Sequence, residues 1–271
     1  MKRLLIALFA LSLLPACATS PTGRSQLMLV SPESAIVESK KAYLSTVSEL
    51  DKENKLVDDP KMVDRVATIT GRLVTVAKQK YPQSANWEWS VAIIDDPKTV
   101  NAWCMAGGRM AVYTGLFKKL NLTDDEFAQI MGHEISHALA NHTAERMSRA
   151  MATSLGVIAV GVAADNHSGA AMVGAAAAAK LALELPNSRT AELEADNLGM
   201  RLATLAGYEP DAAVTLWQKM AKAGGSAPPE FLSTHPAPGN REAQLASMIP
   251  EMRGLNPDGR MAAVAPVEIV R

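Results

Sequence analysis

The segment IMGHEISHALANH, residues 130–142, contains two histidines four positions apart, with a glutamate directly after the first. Residues four apart on an α-helix lie on one face, so His133 and His137 can direct two imidazole rings at one point. Glu134 lies beside them and can reach a water molecule held there. This HExxH arrangement is typical of zinc bound by two histidines, with the glutamate as general base. The alternative is an ordinary helix that carries two surface histidines.

A catalytic zinc site needs a third protein ligand and an open fourth position. His142 lies five residues after His137, about 140° around the helix, so we expect its side chain to point away. His167 lies in a polar turn and has no partner at ligand spacing. Ala140 and Thr143 stand where the metzincin motif requires glycine and histidine, which excludes that class.

The segment SRTAELEAD, residues 188–196, offers a better third ligand. It places Glu192 and Asp196 four apart on a later helix, one turn from each other. Glu192 can complete the zinc site, and Asp196 can accept the ring N–H of a ligating histidine. Glu194 points in a different direction and is expected to face solvent or another helix. Without the histidine motif, Glu192 would be interpreted as part of a solvated helix face.

The composition limits the kind of fold that can hold these residues. A chain of 271 residues is long enough for a sizeable core in one large domain or two small ones. Hydrophobic residues make up 48% and aromatic residues only 4%, so the core must be mainly aliphatic, which favours helices. The formal net charge of −1 argues against a nucleic-acid partner. We therefore predict a mainly helical α+β fold.

Local signals predict the elements that carry the motifs. Ser31-Pro32 and Asp59-Pro60 predict the starts of two helices. Alternation between Trp87 and Ile93 predicts a strand, and residues 101–116 are typical of a β-hairpin that turns at Gly107-Gly108.

The later elements are predicted in the same way. A capping box at Thr123–Glu126 predicts that the motif helix begins there and continues through Arg149. Residues 153–183 are rich in alanine and glycine and predict two weak helices around a turn, with a membrane span as the rival interpretation. Ser188 is expected to cap the helix that carries Glu192.

The first residues have the pattern of a secretory signal. Lys2 and Arg3 precede the apolar run Leu4–Leu14, which is too short for a stable membrane span. The following LLPAC is similar to a bacterial lipobox, which implies that Cys17 becomes the lipidated first residue of the mature chain. The residue after Cys17 is not aspartate, which by the same resemblance favours the outer membrane. A plain secretory peptide is the alternative.

Five segments resemble the HtpX / CAAX-prenyl-protease zinc metallopeptidases, especially their periplasmic lipoprotein (LoiP-type) branch. The segments are NAWCMAGGRMAVYTGL at 101–116, HEISHALANHTAER at 133–146, SRTAELEADNLG at 188–199, AGYEPDAAVTLWQKM at 206–220 and STHPAPGNR at 233–241. The resemblance covers nearly all of residues 21–250. It implies a gluzincin-type domain in which a small sheet or hairpin lies beside the HExxH helix.

The resemblance also implies site residues. One zinc ion per chain would be bound by His133, His137 and Glu192, with Glu134 as general base. A strand near the end of the hairpin would form an open edge beside the cleft, where an extended substrate peptide adds by main-chain hydrogen bonds. The residues of that strand are Arg109, Met110, Ala111, Val112 and Tyr113. Cys104 and Met105 depart from the leucine-proline pair that is common in related proteins, which leaves the subsite shape open.

The loop that contains His235 is expected near the site, again by resemblance. Related periplasmic proteins place a histidine of this loop on the fourth zinc position, which closes the enzyme, and His235 is a candidate for the same role. The alternative is a structural or transition-state-stabilising histidine in an open site. Arg241 is expected to orient this loop or to stabilise a developing oxyanion, with a helix-end salt bridge as the alternative.

These inferences predict a zinc-dependent metalloendopeptidase of the periplasm that degrades misfolded or envelope proteins. The alternative is a zinc-dependent holdase or assembly factor at the outer membrane with latent proteolysis. The expected partners are unfolded or envelope proteins, the membrane through Cys17 and possible outer-membrane assembly proteins. We expect a signal peptide at 1–16, a tether at 17–30, the metallopeptidase domain at 31–250 and a flexible tail at 251–271.

Overall fold

The computed structural model describes residues 17–163, 185–223, 229–236 and 239–271. The predicted signal peptide at residues 1–16 lies outside these ranges. So do His167 and most of the segment predicted to form two weak helices. No helix within the described ranges combines the length and apolar character needed to cross a bilayer.

Helices α1 and α2 begin where the sequence predicted. Helix α1 spans Pro32–Lys52 and helix α2 spans Pro60–Lys80. The side chains of Ser31 and Asp59 each accept a hydrogen bond from the backbone N–H three residues further on. These bonds satisfy N–H groups that the first turn of a helix leaves without a backbone partner.

The remaining helices carry most of the candidate site. They are α3 Thr114–Leu120, α4 Asp124–Leu139, α5 His142–Ala163, α6 Leu185–Ala206, α7 Ala212–Ala223, α8 Glu230–Thr234 and α9 Arg241–Leu255. The capping box of Thr123 and Glu126 is present at the start of α4. The predicted cap at Ser188 is wrong, because α6 already begins at Leu185 and tolerates a proline in its first turn.

The helix that carries the HExxH motif is shorter than predicted. Helix α4 ends at Leu139, and α5 begins at His142 instead of continuing the same helix to Arg149. Asn141 lies between the two helices with a φ of 56°. Asparagine adopts this left-handed conformation more readily than most residues. The chain is therefore redirected directly after the motif, which changes the direction in which His142 points.

Four strands form a mixed sheet in the order β4-β5-β3-β6. They are β3 Ser90–Ile94, β4 Ala102–Met105, β5 Arg109–Tyr113 and β6 Glu268–Val270. Strands β4 and β5 are the predicted hairpin, and Gly107 and Gly108 both have positive φ in its turn. Strand β5 also pairs in parallel with β3. A separate two-stranded hairpin is formed by β1 Cys17–Thr19 and β2 Ser25–Leu27.

Both ends of the described chain pack against the domain, contrary to the predicted tether and tail. In β2, Gln26 is only 2% exposed. Helix α9 continues past residue 250 to Leu255, and the backbone N–H of Glu268 donates to the carbonyl of Trp89 at 3.0 Å. The prediction of a flexible tail is wrong, because this segment is held by backbone pairing, which leaves no side-chain pattern in the sequence.

The main core lies between α2, the sheet and α4. Its members are mostly aliphatic, as the composition indicated, and include Leu73, Ile93, Met110, Ile130 and Leu139. Helix α6 packs against α4. The mainly helical α+β fold, with a small sheet beside the HExxH helix, is therefore confirmed.

Candidate metal centre

Helices α4 and α6 cross with their backbones in contact. A Cβ atom added to Gly132 would lie 2.7 Å from the carbonyl oxygen of Gly199, and one added to Gly199 would lie 2.7 Å from the backbone nitrogen of His133. Only glycine permits so close an approach at both positions. The crossing brings Glu192, about two turns before Gly199, against the HExxH face of α4.

Four side chains converge beside this crossing. His133, His137, Glu192 and His235 each offer one ligand atom, and the four atoms lie within 4.8 Å of one another. The Nε2 atoms of His133 and His137 are 3.1 Å apart, and Oε2 of Glu192 lies 3.2 Å from Nε2 of His133. Nδ1 of His235 lies 3.1 Å from Oε2 of Glu192. The three predicted ligands and the loop histidine therefore meet at one point.

The donor set fits a divalent transition metal. Nδ1 of His133 lies 3.0 Å from Oδ1 of Asp196, and this contact fixes the ring proton on Nδ1. With Nδ1 donating to Asp196, Nε2 of His133 is the ring atom that a cation or a second proton can occupy, and it lies beside Nε2 of His137 and a carboxylate oxygen of Glu192. Nitrogen and carboxylate ligands that converge on one point suit zinc.

Glu134 is buried beside this cluster, with 2% of its surface exposed. Its Oε1 lies 3.3 Å from Nε2 of His235 but makes no hydrogen bond within the described part of the chain. A buried carboxylate oxygen without a hydrogen bond is costly, and is typical of a position that serves a ligand or a reaction. Burial also raises the pKa of Glu134, which suits a residue that must both accept and deliver a proton.

Electrostatics differ between the two motif histidines. Burial opposes protonation of His133, but its hydrogen bonds with Asp196 and Glu192 outweigh burial and raise its pKa to about 9. Burial and the neighbouring His133 lower the pKa of His137 well below its usual value. For Glu192, burial alone would raise the pKa, whereas the hydrogen bonds from His133 and His235 hold it below its ordinary range.

Behind His133 lie Asp196 and Arg241, which we name the Asp196 pair. Arg241 donates from Nε to Oδ2 of Asp196 at 2.7 Å and from Nη2 to Oδ1 at 2.5 Å. Its guanidinium lies 3.6 Å above the ring of Trp217, and its Nη1 lies 3.5 Å from the carbonyl oxygen of His235. The predicted contact of Asp196 with a ligating histidine is present. For Arg241, the alternative of a salt bridge at the end of a helix is present in its bonds to Asp196, and the longer contact with the carbonyl of His235 is compatible with the predicted role of orienting the loop.

Behind His137 lies a second group, His142, Glu194, Thr22 and Arg24, which we name the His142 network. Nδ1 of His142 lies 2.8 Å from Nδ1 of His137, and its Nε2 lies 3.2 Å from Oε2 of Glu194. The prediction that His142 points away is wrong. Glu194 does face another helix, as one of its two predicted alternatives stated, because it contacts His142 at the start of α5. The break at Asn141 turns His142 back toward His137, and the β1–β2 hairpin covers Glu194. Asn141, four residues after His137, was the one local signal of this break.

The predicted open edge of the sheet is also wrong. Residues 109–113 form β5, which is paired with β4 on one side and β3 on the other. The outermost strand on this side of the described sheet is β4. Tyr113 N–H donates to the carbonyl of Asn101, so the backbone groups of Ala102 and Cys104 point away from β5. The sequence predicted a hairpin, but not which of its strands would pair with β3.

A cavity of about 430 Å³ lies between β4 and three of the four converging side chains, His137, Glu192 and His235. Trp103 and Cys104 line it from β4, Glu134 from α4, and Arg146 and Arg149 from α5. Burial raises the pKa of the Cys104 thiol well above its usual value, so this thiol is protonated and unreactive. The edge strand, the cluster and the buried Glu134 therefore share one cleft.

Comparisons with known proteins agree with this geometry. The chain is 38% identical over 160 residues to the mitochondrial metalloendopeptidase OMA1 of Arabidopsis thaliana, an alignment that covers 58% of this chain and 31% of that protein. It is 32% identical over 241 residues to the mitochondrial metalloendopeptidase OMA1 of Bos taurus, covering 85% and 45%. It is 27% identical over 207 residues to the beta-barrel assembly-enhancing protease of Escherichia coli strain K12, covering 73% and 41%.

The chain spans less than half the length of these three relatives. The sequence pattern of Peptidase family M48 matches residues 60–249, which contain all four converging ligands, Glu134 and Asp196. The predicted resemblance is thus confirmed for the family, whereas the lipoprotein branch stays a prediction. The chain belongs to Peptidase family M48.

Proposed function

We propose that this chain is a zinc-dependent metalloendopeptidase of the periplasm that degrades misfolded or envelope proteins. The observation that carries the proposal is the buried Glu134 beside four converging ligands on the wall of one cleft. Membership of Peptidase family M48 and the names of the relatives support the peptidase chemistry. The Escherichia coli relative is named for β-barrel assembly, which supports envelope proteins as substrates or partners.

In the proposed mechanism, His133, His137 and Glu192 would hold the zinc ion. When bound, zinc supplies a Lewis acid that polarises the scissile carbonyl and makes water more acidic. Glu134 accepts a proton from the attacking water on its unpaired Oε1 and passes it to the leaving amine. Burial raises the pKa of Glu134, which favours the first of these transfers because it makes the carboxylate a stronger base.

Strand β4 supplies the binding surface in this proposal. The carbonyl of Ala102 and the backbone groups of Cys104 point away from β5 and can pair with an extended peptide, which would lie along the cavity wall. The N–H of Ala102 already donates to Oδ1 of Asn101 at 2.9 Å. Main-chain pairing does not depend on the side chains of the substrate. This surface therefore suits unfolded segments of many sequences, in agreement with a role in protein quality control.

The test is the substitution Glu134→Gln, measured with zinc-loaded protein on fluorescein-labelled casein. The variant should bind zinc as the parent does and lose about 10²- to 10⁴-fold in turnover, because it lacks the general base. Glu251→Gln, on the exposed surface of α9, is the matched control and should retain full activity. Undiminished cleavage by Glu134→Gln would remove the assignment of the base. A zinc-loaded parent that prevents aggregation but never cleaves would favour the holdase.

For His235, we propose the role of a removable fourth ligand that closes the centre at rest. Its Nδ1 lies 3.2 Å from Nε2 of His133, and its ring stacks on Phe231 with centroids 4.5 Å apart. A fourth protein ligand would occupy the position that a catalytic zinc must keep open. His235→Ala should raise peptidase activity, whereas a large loss of turnover would favour the transition-state-stabilising role.

For the location, we propose attachment to the membrane through a lipid on Cys17, with the outer membrane favoured. The support is the lipobox resemblance and the exposed position of Cys17 at the start of β1. Globomycin treatment of cells should then accumulate the uncleaved precursor. Normal processing under globomycin would contradict the lipid anchor without affecting the peptidase assignment.

A further inference from the structure

We propose that the β1–β2 hairpin completes the metal centre from outside the helical domain. In this proposal, which rests on zinc ligation by His137, Thr22 and Arg24 act through Glu194 and His142 to fix the orientation of the His137 ring. The four are positioning residues, since the contacts described here reach the cluster only through His137. The segment that follows Cys17 would then be part of the catalytic apparatus and more than a connection to the membrane.

The first step joins His137 to His142. Nε2 of His137 faces the cluster, because it lies 3.1 Å from Nε2 of His133. Its Nδ1–H therefore needs an acceptor on the opposite side of the ring, and Nδ1 of His142 lies there at 2.8 Å. With Nδ1 as acceptor, His142 carries its proton on Nε2 and donates to Glu194 at 3.2 Å. The orientation of the His137 ring therefore depends on the carboxylate of Glu194, which lies two hydrogen bonds away.

The second step is the neutralisation of Glu194. The side chain of Glu194 is 2% exposed, and a buried carboxylate is unfavourable unless donors surround it. The hairpin supplies these donors: Thr22 donates from its hydroxyl to Oε1 at 2.5 Å, and Arg24 donates from Nε to Oε2 at 2.8 Å. Without the hairpin, the acceptor that orients His142 would be a buried and partly unpaired charge.

The third step fixes the turn from which His142 projects. The other two nitrogens of the Arg24 guanidinium donate to the two oxygens of Glu145 at 2.8 and 2.6 Å. Gln26 donates to Glu145 at 2.7 Å and to the carbonyl of Ala140 at 2.8 Å. Ala140 directly precedes the left-handed Asn141. The hairpin therefore holds both the acceptor of His142 and the backbone turn that aims it.

The simpler alternative is that these contacts only hold the hairpin against the domain. The two explanations differ in what they predict for metal binding at constant fold. A fastening role changes the free energy of unfolding and leaves zinc affinity unaltered. A positioning role changes zinc affinity and the ligand field in variants that remain folded.

The experiment measures zinc affinity by competition with a chelator, and the visible spectrum of the cobalt-substituted full chain. His142→Leu should lower zinc affinity about 10- to 100-fold and shift the cobalt bands. His142→Asn, which can still accept from His137 and donate to Glu194, should lose less. Arg24→Gln should lower zinc affinity about tenfold. Arg260→Gln, at an exposed position, should change neither zinc affinity nor the cobalt spectrum.

Each outcome decides the proposal. Circular dichroism identifies the folded variants, and Thr22→Val, which removes one hydroxyl from an isosteric side chain, provides the measurement if His142→Leu does not fold. Folded variants with parental zinc affinity and cobalt spectrum would overturn the proposal, as would equal losses in the leucine and asparagine variants. A parent that binds no zinc would overturn both this inference and the proposed function. A zinc-binding parent that cleaves nothing would remove the peptidase activity alone.

Discussion

The two histidines of one helical turn are supported by two very different polar groups. The Asp196 pair, behind His133, comes from α6 and α9 and lies within the 60–249 range of the family pattern. The His142 network, behind His137, leaves that range and ends in the β1–β2 hairpin. One ligand is therefore oriented from within the family domain, and the other from a segment that precedes it.

The chemical difference between the supports explains the electrostatic difference between the ligands. A carboxylate lies directly behind His133, and its negative charge helps to raise the pKa of this imidazole to about 9. A second imidazole lies behind His137, whose pKa burial lowers well below the usual value. The two histidines of the motif therefore lie in different electrostatic surroundings, His133 against a carboxylate and His137 against a second imidazole.

The largest loss of zinc binding should come from replacing the ligands themselves, and it should be equal for His133 and His137. His133→Ala and His137→Ala each remove one of three strong protein ligands, so neither variant should retain stoichiometric zinc after dialysis. Metal analysis of folded protein gives the answer. Glu251→Gln, on the exposed surface of α9, should retain one zinc per chain. Full zinc occupancy in either histidine variant would show that the paired imidazoles are not the ligands.

The sequence predicted the Asp196 side of this comparison because its signals are local. Glu192 and Asp196 are four apart on one helix and share a face, so if Glu192 contacts the motif helix, Asp196 is expected to contact it too. The capping box at Thr123 likewise depends on residues three apart, and it marks the start of α4. Helix periods and capping residues are short-range patterns, and a single sequence contains them in full.

The sequence could not predict the His142 side, because its contacts join residues far apart. The hydrogen bond from Arg24 to Glu194 spans 170 positions, and no periodicity links the two residues. One left-handed residue, Asn141, also decides whether His142 continues the helix or turns back. The prediction that residues 109–113 form an open edge was wrong for the same reason, since the parallel pairing of β5 with β3 has no signal in the hairpin sequence.

The next largest effect should come from the helix crossing, which serves both sides equally. Gly199→Ala places a Cβ 2.7 Å from the backbone nitrogen of His133, and backbone atoms there cannot move aside. We expect a loss of about 1–3 kcal/mol in the free energy of unfolding, together with weaker zinc binding as Glu192 is displaced. Gly254→Ala has open space around the new Cβ and is the control. An unchanged zinc affinity in Gly199→Ala would contradict the close crossing.

A smaller effect should separate the two sides. Asp196→Asn removes the charge directly behind His133 and leaves Arg241 without its carboxylate, so zinc affinity should fall about 10- to 100-fold. Glu194→Gln acts on His137 through His142 and should lower zinc affinity less, about tenfold. Competition with a chelator measures the zinc affinity of both variants, and Glu251→Gln is the exposed control. A greater loss in Glu194→Gln than in Asp196→Asn would reverse the order that the structure indicates.

The smallest effect should come from the ring beneath the Asp196 pair. Trp217→Leu removes the cation–π contact with the buried Arg241, worth about 2 kcal/mol in the free energy of unfolding, but leaves both hydrogen bonds from Arg241 to Asp196. Zinc affinity should therefore change by less than about tenfold. Trp87→Leu, which loses a contact with Trp89 away from the cleft, should match the stability loss and leave zinc binding unchanged. If Trp217→Leu weakens zinc as much as Asp196→Asn does, the orientation of His133 depends on the ring rather than on the carboxylate.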